Sequence, residues 1–218
     1  MKSYALVLGL SAVAFTGCVN SSTLQTAKAL DPGKQRILVG GGFYASPSVN
    51  ADTSEATNSD VSLALPYMEL GYRRGIVDKV EMGAKVTLPG TAGVDAKYQF
   101  LQKGDLALAA GLGTGYLKIT SGADGMETST QLIDAIVPVY ASYDLAKSFA
   151  VYTSPKYVLR YAKSVDENMQ TTTGINHLVG ATAGVRVGNK FGLFLETSYL
   201  KSVSSDFDAF QVNGSIFF

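Results

Sequence analysis

The amino-acid sequence predicts an all-β protein: an antiparallel transmembrane β-barrel of about ten strands, with eight or twelve also possible, preceded by a short tether. Three observations support this fold class. Apolar and polar residues alternate in successive segments of roughly ten residues. Large aromatic residues fall near the ends of those segments, and tight connections alternate along the chain with longer, polar ones.

The N-terminal region is typical of an exported protein. Lys2 precedes an apolar run at residues 4–15, which is the pattern of a secretion signal and is shorter than a membrane-spanning helix. The residues FTGC at 15–18 resemble the lipobox of bacterial lipoproteins, although Phe15 stands where that family prefers leucine. The resemblance implies cleavage before Cys18 and acylation of that residue, which is the only cysteine of the chain.

The lipobox resemblance also divides the chain. Residues 1–17 are expected to form the lipoprotein signal peptide, residues 18–33 the acylated N-terminus and tether, and residues 34–218 the outer-membrane β-barrel. Val19 stands where enteric lipoproteins retained in the inner membrane tend to carry aspartate. We therefore expect the outer membrane, with acyl chains such as palmitate anchoring the N-terminus on the periplasmic side. Within the tether, residues 23–30 are suited to one or two helical turns.

From Gln35 onward the alternation predicts ten strands. In the fourth of them, Val94 and Tyr98 alternate with Asp95 and Lys97. Successive side chains of a strand point to opposite faces, so each strand has one apolar face and one polar or small face. The predicted strands are residues 35–45, 63–74, 79–88, 93–102, 105–118, 132–144, 148–162, 175–188, 191–202 and 209–218.

The aromatic residues indicate that the apolar face meets lipid. They lie on that face and close to the strand ends, as expected of two aromatic girdles that flank an aliphatic band. One girdle is predicted to contain Tyr72, Phe100, Tyr143, Phe149, Phe191 and Phe218, and the other Phe43, Tyr116, Tyr161, Tyr199 and Phe210.

The connections predict the orientation in the membrane. Outer-membrane barrels have short periplasmic turns and longer external loops. Tight turns are predicted near residues 75–78, 102–104, 145–147 and 189–190, and longer connections near 46–62, 119–131, 163–174 and 203–208, with 89–92 as a short exception. Pro138 and Pro155 fall within predicted strands, where each removes a hydrogen-bond donor, and we expect them at β-bulges.

The C-terminus carries a second resemblance. The chain ends in an aromatic residue with apolar or small residues at alternate positions before it, which resembles the C-terminal signal that outer-membrane barrels present to the assembly machinery. The matching residues are Phe210, Val212, Gly214, Ile216 and Phe218. The expected partners are therefore outer-membrane lipids, the lipoprotein-processing machinery and the barrel-assembly machinery, with the ligand unknown.

The polar face is expected to line the lumen. It carries seven basic and five acidic residues, which we interpret as ion pairs that fill a narrow interior: Arg36, Glu69, Arg73, Glu81, Lys85, Asp95, Lys97, Asp134, Lys156, Arg160, Arg186 and Glu196. A narrow porin-like channel is the alternative, because small residues on the fifth strand leave room. Those small residues are Ala107, Ala109, Gly111, Gly113 and Gly115.

Catalytic residues, a metal site and a cofactor are not expected. His177, the only histidine, is one hairpin away from Asp206 and Asp208, an arrangement that invites comparison with rim proteases of the omptin kind. The residue two before it is Ile175 rather than aspartate, and its position in the alternation points it toward lipid. Acidic residues also cluster in two of the longer connections without following a calcium-loop template: Asp124 with Glu127, and Asp166 with Glu167 and Asn168.

Three functions therefore remain, in descending order. The first is a non-enzymatic outer-membrane barrel with a structural, adhesive or ligand-contacting role and a lumen filled by side chains. The second is a narrow porin-like channel, and the third is a rim enzyme around His177. The equal numbers of acidic and basic residues, 18 each, give no reason to expect a nucleic-acid partner.

Overall fold

The computed structural model describes residues 20–46, 63–88, 90–123, 126–165, 170–204 and 208–218. Ten strands in this part of the chain form one antiparallel sheet that closes into a barrel, which confirms the predicted fold class. Cys18, Asp124, Asp166, Glu167, Asn168 and Asp206 lie outside the described residues. No helix in the described ranges is long and apolar enough to cross a membrane.

The strands follow the chain in order. They are β1 (Gln35–Ser46), β2 (Leu63–Val77), β3 (Val80–Leu88), β4 (Thr91–Lys103), β5 (Leu106–Ala123), β6 (Met126–Ala146), β7 (Phe149–Val165), β8 (Thr171–Gly188), β9 (Gly192–Ser202) and β10 (Asp208–Phe217). Each strand pairs with its neighbours in sequence, and β10 pairs with β1 from Leu38–Phe217 to Ala45–Phe210. Closure leaves no open sheet edge, as a spanning sheet in lipid requires.

The predicted strand boundaries are correct to within a few residues, with the largest differences at the ends that carry the longer connections. β6 begins at Met126 rather than at residue 132, and β5 ends at Ala123 rather than at residue 118. The extra residues are mostly Thr, Ser and Gly, which show no apolar alternation. They pair nevertheless, because strand pairing uses the main chain and threonine is suited to strands.

The two prolines do not lie at β-bulges, contrary to the prediction. The partners of β6 on β5 keep one register on both sides of Pro138, and Pro155 pairs in register with Ala181 of β8. The register shifts occur elsewhere, all near tight turns: between Gly75 and Val77, between Gln99 and Leu101, and between Asp144 and Ala146.

The outer face of the barrel wall is apolar, and the inner face carries charged and polar residues together with a few apolar clusters. On β7, Val151, Tyr157 and Leu159 are exposed, whereas Lys156 and Arg160, which alternate with them, are buried. Ten of the predicted girdle residues are likewise exposed: Phe43, Tyr72, Phe100, Tyr116, Tyr143, Tyr161, Phe191, Tyr199, Phe210 and Phe218. A soluble barrel would have the opposite polarity, so the outer surface is one that faces lipid.

Residues 20–30 lie inside the barrel and not outside it as a tether. They form neither a strand nor the helical turns expected at residues 23–30: Leu24 has a positive φ of 44° and the chain bends at Ala27 and Lys28. Most of their side chains are buried. The chain then turns at Asp31–Lys34, where Pro32 bridges to Gly75 and Gly33 adopts a positive φ of 78°. From this turn it enters β1, so the barrel wall surrounds the segment that precedes it.

Candidate functional site

Residues 20–30, here called the plug, run along the lumen from its tight-turn end toward the other end. Leu30 lies beside Glu81, close to the tight-turn end of β3. Asn20 lies beside Thr87, one residue before the opposite end of that strand, and beside Glu69 in the middle of β2. The N-terminal end of the plug is therefore directed toward the mouth that carries the longer connections.

Glu196 on β9 holds the middle of the plug by its main chain. The N–H groups of Thr23 and Leu24 each donate to one oxygen of the carboxylate at 2.7 Å. The side chains of Asn213 and Tyr152 donate to the same two oxygens at 2.8 Å. A carboxylate accepts several hydrogen bonds and donates none, so this group is matched to the two adjacent N–H groups.

Four further N–H groups of the plug donate to side chains of the wall. The pairs are Ser21 to Gln211 at 3.2 Å, Ala27 to Ser142 at 3.1 Å, Ala29 to Gln99 at 2.7 Å, and Leu30 to Glu81 at 2.9 Å. The acceptors come from β10, β6, β4 and β3. The plug is therefore bonded to several sides of the lumen, and not to a single strand as in a sheet.

Three buried or half-buried lysines bind its carbonyl groups. Lys85 donates to Asn20 at 3.3 Å and to Ser22 at 2.7 Å, Lys156 donates to Ser21 at 2.6 Å, and Lys97 donates to Thr26 at 2.8 Å and to Lys28 at 3.1 Å. An ammonium group has three donors and no acceptor, and it is costly to bury without partners. Main-chain carbonyls supply those partners.

Polar side chains fix the first residues of the plug. The carboxylate of Glu69 accepts from Ser22 Oγ at 2.6 Å and also from the amide of Asn20. The same amide donates to Thr87 at 3.0 Å, and Gln211 Nε2 donates to Asn20 Oδ1 at 2.8 Å. Asn20 is only 1% exposed, so its whole side chain is used inside the barrel.

Two apolar contacts complete the fit. Leu24 packs in a cluster of wall residues: Leu38, Tyr152, Phe194 and Phe217. Ala27 is fully buried against Ala107, Ala109 and Tyr140. The small residues of β5 that left room in the predicted lumen are therefore, in part, the surface on which the plug lies.

All twelve predicted lumen residues face the interior, but only some of them pair with each other. Arg73 contacts Glu81 and also Asp95, with Nη2–Oδ2 at 2.6 Å. Lys97 lies 3.4 Å from Glu81, and Arg160 contacts Asp134 at 2.9 Å. Arg36 lies over the rings of Phe194 and Phe217, with its guanidinium carbon 4.9 Å from the second centroid.

The remaining charges are used differently from the prediction. Glu69, Lys85, Lys156 and Glu196 bind the plug and not one another. Arg186 lies 3.5 Å from Asp144, which also pairs with Lys28 of the plug. Asp144 was not among the predicted lumen residues, because it falls at the end of β6 beside a turn.

Sequence reasoning also missed uncharged wall residues that hydrogen-bond the plug: Thr87, Gln99, Tyr140, Ser142 and Gln211. It also missed Tyr152 and Asn213, which donate to Glu196. Their inward positions follow from the alternation, but a neutral polar residue gives no sign of what it binds. The one sequence feature that points to a segment inside the lumen is the row of small residues on β5, which by itself suggests space for a channel.

His177 faces outward, on the side expected from the alternation. It is exposed on β8 and its Nδ1 hydrogen-bonds with the Tyr157 hydroxyl of β7. Asp208 accepts from Tyr199 at 2.8 Å, and its strand β10 is separated from β8 by β9. In the described part of the chain, no group of three or more His, Cys, Asp or Glu side chains is arranged to hold a metal ion.

The predicted C-terminal signal residues all lie on one face of β10 and at its end. Phe210, Val212, Ile216 and Phe218 are exposed on the outer surface, and Gly214 between them is half-buried.

Comparison with known proteins finds likeness to solved structures only, and at low sequence identity. No protein-family model matches the chain, and no curated protein matches it. Similar solved structures include Ail, the attachment invasion locus protein of Yersinia pestis, at 9% identity and a TM-score of 0.44, covering 86% of this chain and 99% of that one. The outer membrane protease OmpT from Escherichia coli has 9% identity and a TM-score of 0.47, with 88% and 98% covered. The translocator domain of the autotransporter NalP from Neisseria meningitidis has 11% identity and a TM-score of 0.44, with 100% and 95% covered. At these values, none of the activities named for those proteins is assigned to this chain.

Proposed function

We propose that this protein is a non-enzymatic outer-membrane β-barrel lipoprotein, anchored through Cys18, whose lumen is closed by its own residues 20–30. Its role is then structural, adhesive or ligand-contacting, and transport through the lumen is not part of it. The outward apolar surface supports the membrane location, and the FTGC sequence at residues 15–18 supports the anchor.

The observation that carries the closed lumen is the binding of the plug by its main chain. Six N–H groups and five C=O groups of the eleven residues from Asn20 to Leu30 are bonded to wall side chains. Withdrawing the plug would leave Glu196, Lys85 and Lys156 without these partners in a narrow interior. Unpaired buried charges are costly, so the closed state is the stable one.

A small cavity remains beside the plug. It has a volume of about 60 Å³ and lies between the plug and the walls near Gly93 and Gly113. One water molecule needs roughly 10–15 Å³ on this measure, so this cavity has room for only a few waters.

Conductance in planar bilayers tests the proposal. Purified full-length protein should give no steady ion current. A variant with Thr23→Pro and Leu24→Pro, which removes both N–H groups that Glu196 accepts, should open transiently because the plug is held less tightly. Heat-resistant electrophoretic mobility would show that both proteins are folded. Steady current through the unmodified protein would contradict the closed lumen.

A narrow channel is the second candidate, and the same cavity favours it. Its lining combines glycines with charged groups of both signs, among them Asp95, Asp134 and Lys156. If the plug shifts toward the opposite wall, this side becomes a polar path. Two results together would support this candidate over the closed barrel. The protein would conduct ions with the sequence of residues 20–30 unmodified, and the ion selectivity of that current would change in Asp134→Asn.

A further inference from the structure

We infer that the lumen wall is a binding site for a polypeptide main chain, which residues 20–30 occupy and which a matching segment of another chain can occupy in their place. The inference rests on the plug proposed above and deepens it by naming the class of ligand that the wall recognises. Its ligand is a segment that turns where Leu24 has its positive φ of 44° and bends at residues 27–28. It carries a large apolar residue, a small residue three positions later and a basic residue directly after that, as in Leu24, Ala27 and Lys28.

The first argument is the number of contacts made to groups that every polypeptide has. The eleven bonded main-chain groups of the plug are held by eight wall residues on six strands, β3, β4, β6, β7, β9 and β10. Hydrogen bonds to the main chain give affinity for a peptide largely without regard to its side chains. The wall is thus suited to a class of ligand wider than one sequence.

The second argument is the order of hydrogen-bonding groups on the wall. Donors of the wall face C=O groups of the plug, and acceptors of the wall face its N–H groups, in turn along its length. Lys85 and Lys156 bind carbonyl groups at residues 20–22, and Glu196 then accepts the N–H groups of Thr23 and Leu24. Farther along, Lys97 binds two carbonyl groups and Gln99 accepts an N–H group. Ion pairs that only filled space would bind each other and would show no such order.

The third argument concerns selectivity. Leu24 is 2% exposed in its apolar cluster, so this position requires a large apolar side chain. Ala27 is fully buried against Ala107 and Ala109, which leaves no room for a larger residue. Lys28 meets the carboxylate of Asp144, which selects a basic residue.

The test exchanges the plug for a peptide. A specific protease site is inserted between Gly33 and Lys34 in the full-length chain, at an exposed turn where a Cβ on Gly33 would meet no atom within 4 Å. The protein is folded, then cleaved, so that the plug stays bound without a covalent link. A fluorescent synthetic peptide with the sequence of residues 20–30 is added, and bound fluorescence is measured after removal of free peptide.

We expect one peptide bound per cleaved barrel and none in the uncleaved protein. The decisive control is the same peptide N-methylated at Thr23 and Leu24, which keeps every side chain but lacks the two N–H groups that Glu196 accepts; it should bind at least tenfold more weakly. A peptide with Ala27→Phe should also bind at least tenfold more weakly. Equal binding of the N-methylated peptide, or no exchange at any peptide concentration, would overturn the inference.

A second protein keeps the test decisive if the insertion prevents folding. The intact chain with Thr23→Pro and Leu24→Pro has a weakened plug, and the unmodified peptide should displace it. The two proposals also fail separately. Steady current through the intact protein contradicts the closed lumen, whereas a silent barrel that takes up no peptide contradicts only the peptide site.

Discussion

Glu196 shows how single residues of the wall serve the plug and the barrel at once. Its two oxygens accept four hydrogen bonds, two from main-chain N–H groups of the plug and two from wall side chains. In Glu196→Gln, one oxygen becomes an NH₂ group that faces two of those donors. Each donor left without an acceptor inside a protein costs about 1–3 kcal/mol.

We therefore predict that Glu196→Gln loosens the plug locally. Amide hydrogen exchange at Thr23 and Leu24 should be at least tenfold faster than in the unmodified protein. Asp134→Asn is the matched control, because it removes a buried carboxylate that pairs with Arg160. Equal acceleration at these two amides in both variants would show that loss of any lumen charge loosens the plug, and it would contradict the specific role of Glu196.

Ala27 supports a prediction about packing. In Ala27→Leu the larger side chain has no space beside Ala107 and Ala109, and overpacking of this kind costs roughly 1–3 kcal/mol. The temperature at which the protein loses its heat-resistant mobility should fall. Ala135→Leu, on the exposed outer face of β6, is the control and should leave that temperature nearly unchanged. A greater loss in the control would contradict this account of the fit.

Among the elements, the turn at Asp31–Lys34 joins the plug to β1 and is held closely against Gly75. A Cβ atom at Gly75 would lie 2.2 Å from the carbonyl oxygen of Asp31 and 2.4 Å from that of Leu30. The main chain cannot approach this closely to any other residue type, so the end of the plug depends on this glycine.

We predict that Gly75→Ala displaces the turn and exposes it to proteolysis. Cleavage within residues 30–35 by a broad-specificity protease should become faster, with the strands still protected. Gly174→Ala is the control, because nothing lies within 4 Å of a Cβ there and its φ is ordinary. If Gly75→Ala is cleaved no faster than the unmodified protein, the close approach to Gly75 is not what holds the turn in place.

The strands could be predicted from the sequence, and the plug could not, for a physical reason. Successive side chains of a strand in this wall face lipid and lumen in turn, so apolar and polar residues alternate along the strand. That pattern can be recognised from a few neighbouring residues. The plug has one environment all around it, and its partners are distant along the chain: Ser21 and Asn20 bind Gln211, about 190 residues away. Its conformation, with a positive φ at Leu24 and a bend at residues 27–28, is held by wall side chains whose own sequence context gives no sign of a ligand.

At the scale of the whole molecule, the direction of the plug bears on the side of the membrane from which the N-terminus is reached. β1 begins at the tight-turn end, but the plug before it is directed toward the mouth with the longer connections. If the tight turns are periplasmic, we expect an epitope just before Asn20 to be reached from outside the cell, whereas the sequence predicts a periplasmic anchor.

An epitope inserted between Val19 and Asn20 tests this direction. We expect antibody binding on intact cells, as for an epitope placed within residues 47–62. An epitope in the turn at Gly104 should bind antibody only after the outer membrane is permeabilised. Binding at residue 19 only after permeabilisation, with the other two sites as expected, would restore the periplasmic N-terminus.

The pairing of β10 with β1 has a consequence for the order of assembly. These strands form a seam of eight residue pairs between the two ends of the barrel wall. If the seam formed around an empty lumen, Lys85, Lys156 and Glu196 would be enclosed before their main-chain partners arrived. The chain avoids this cost when residues 20–30, which are synthesised before any strand, are laid against the open sheet first. The seam then closes last, around a segment that is already in place.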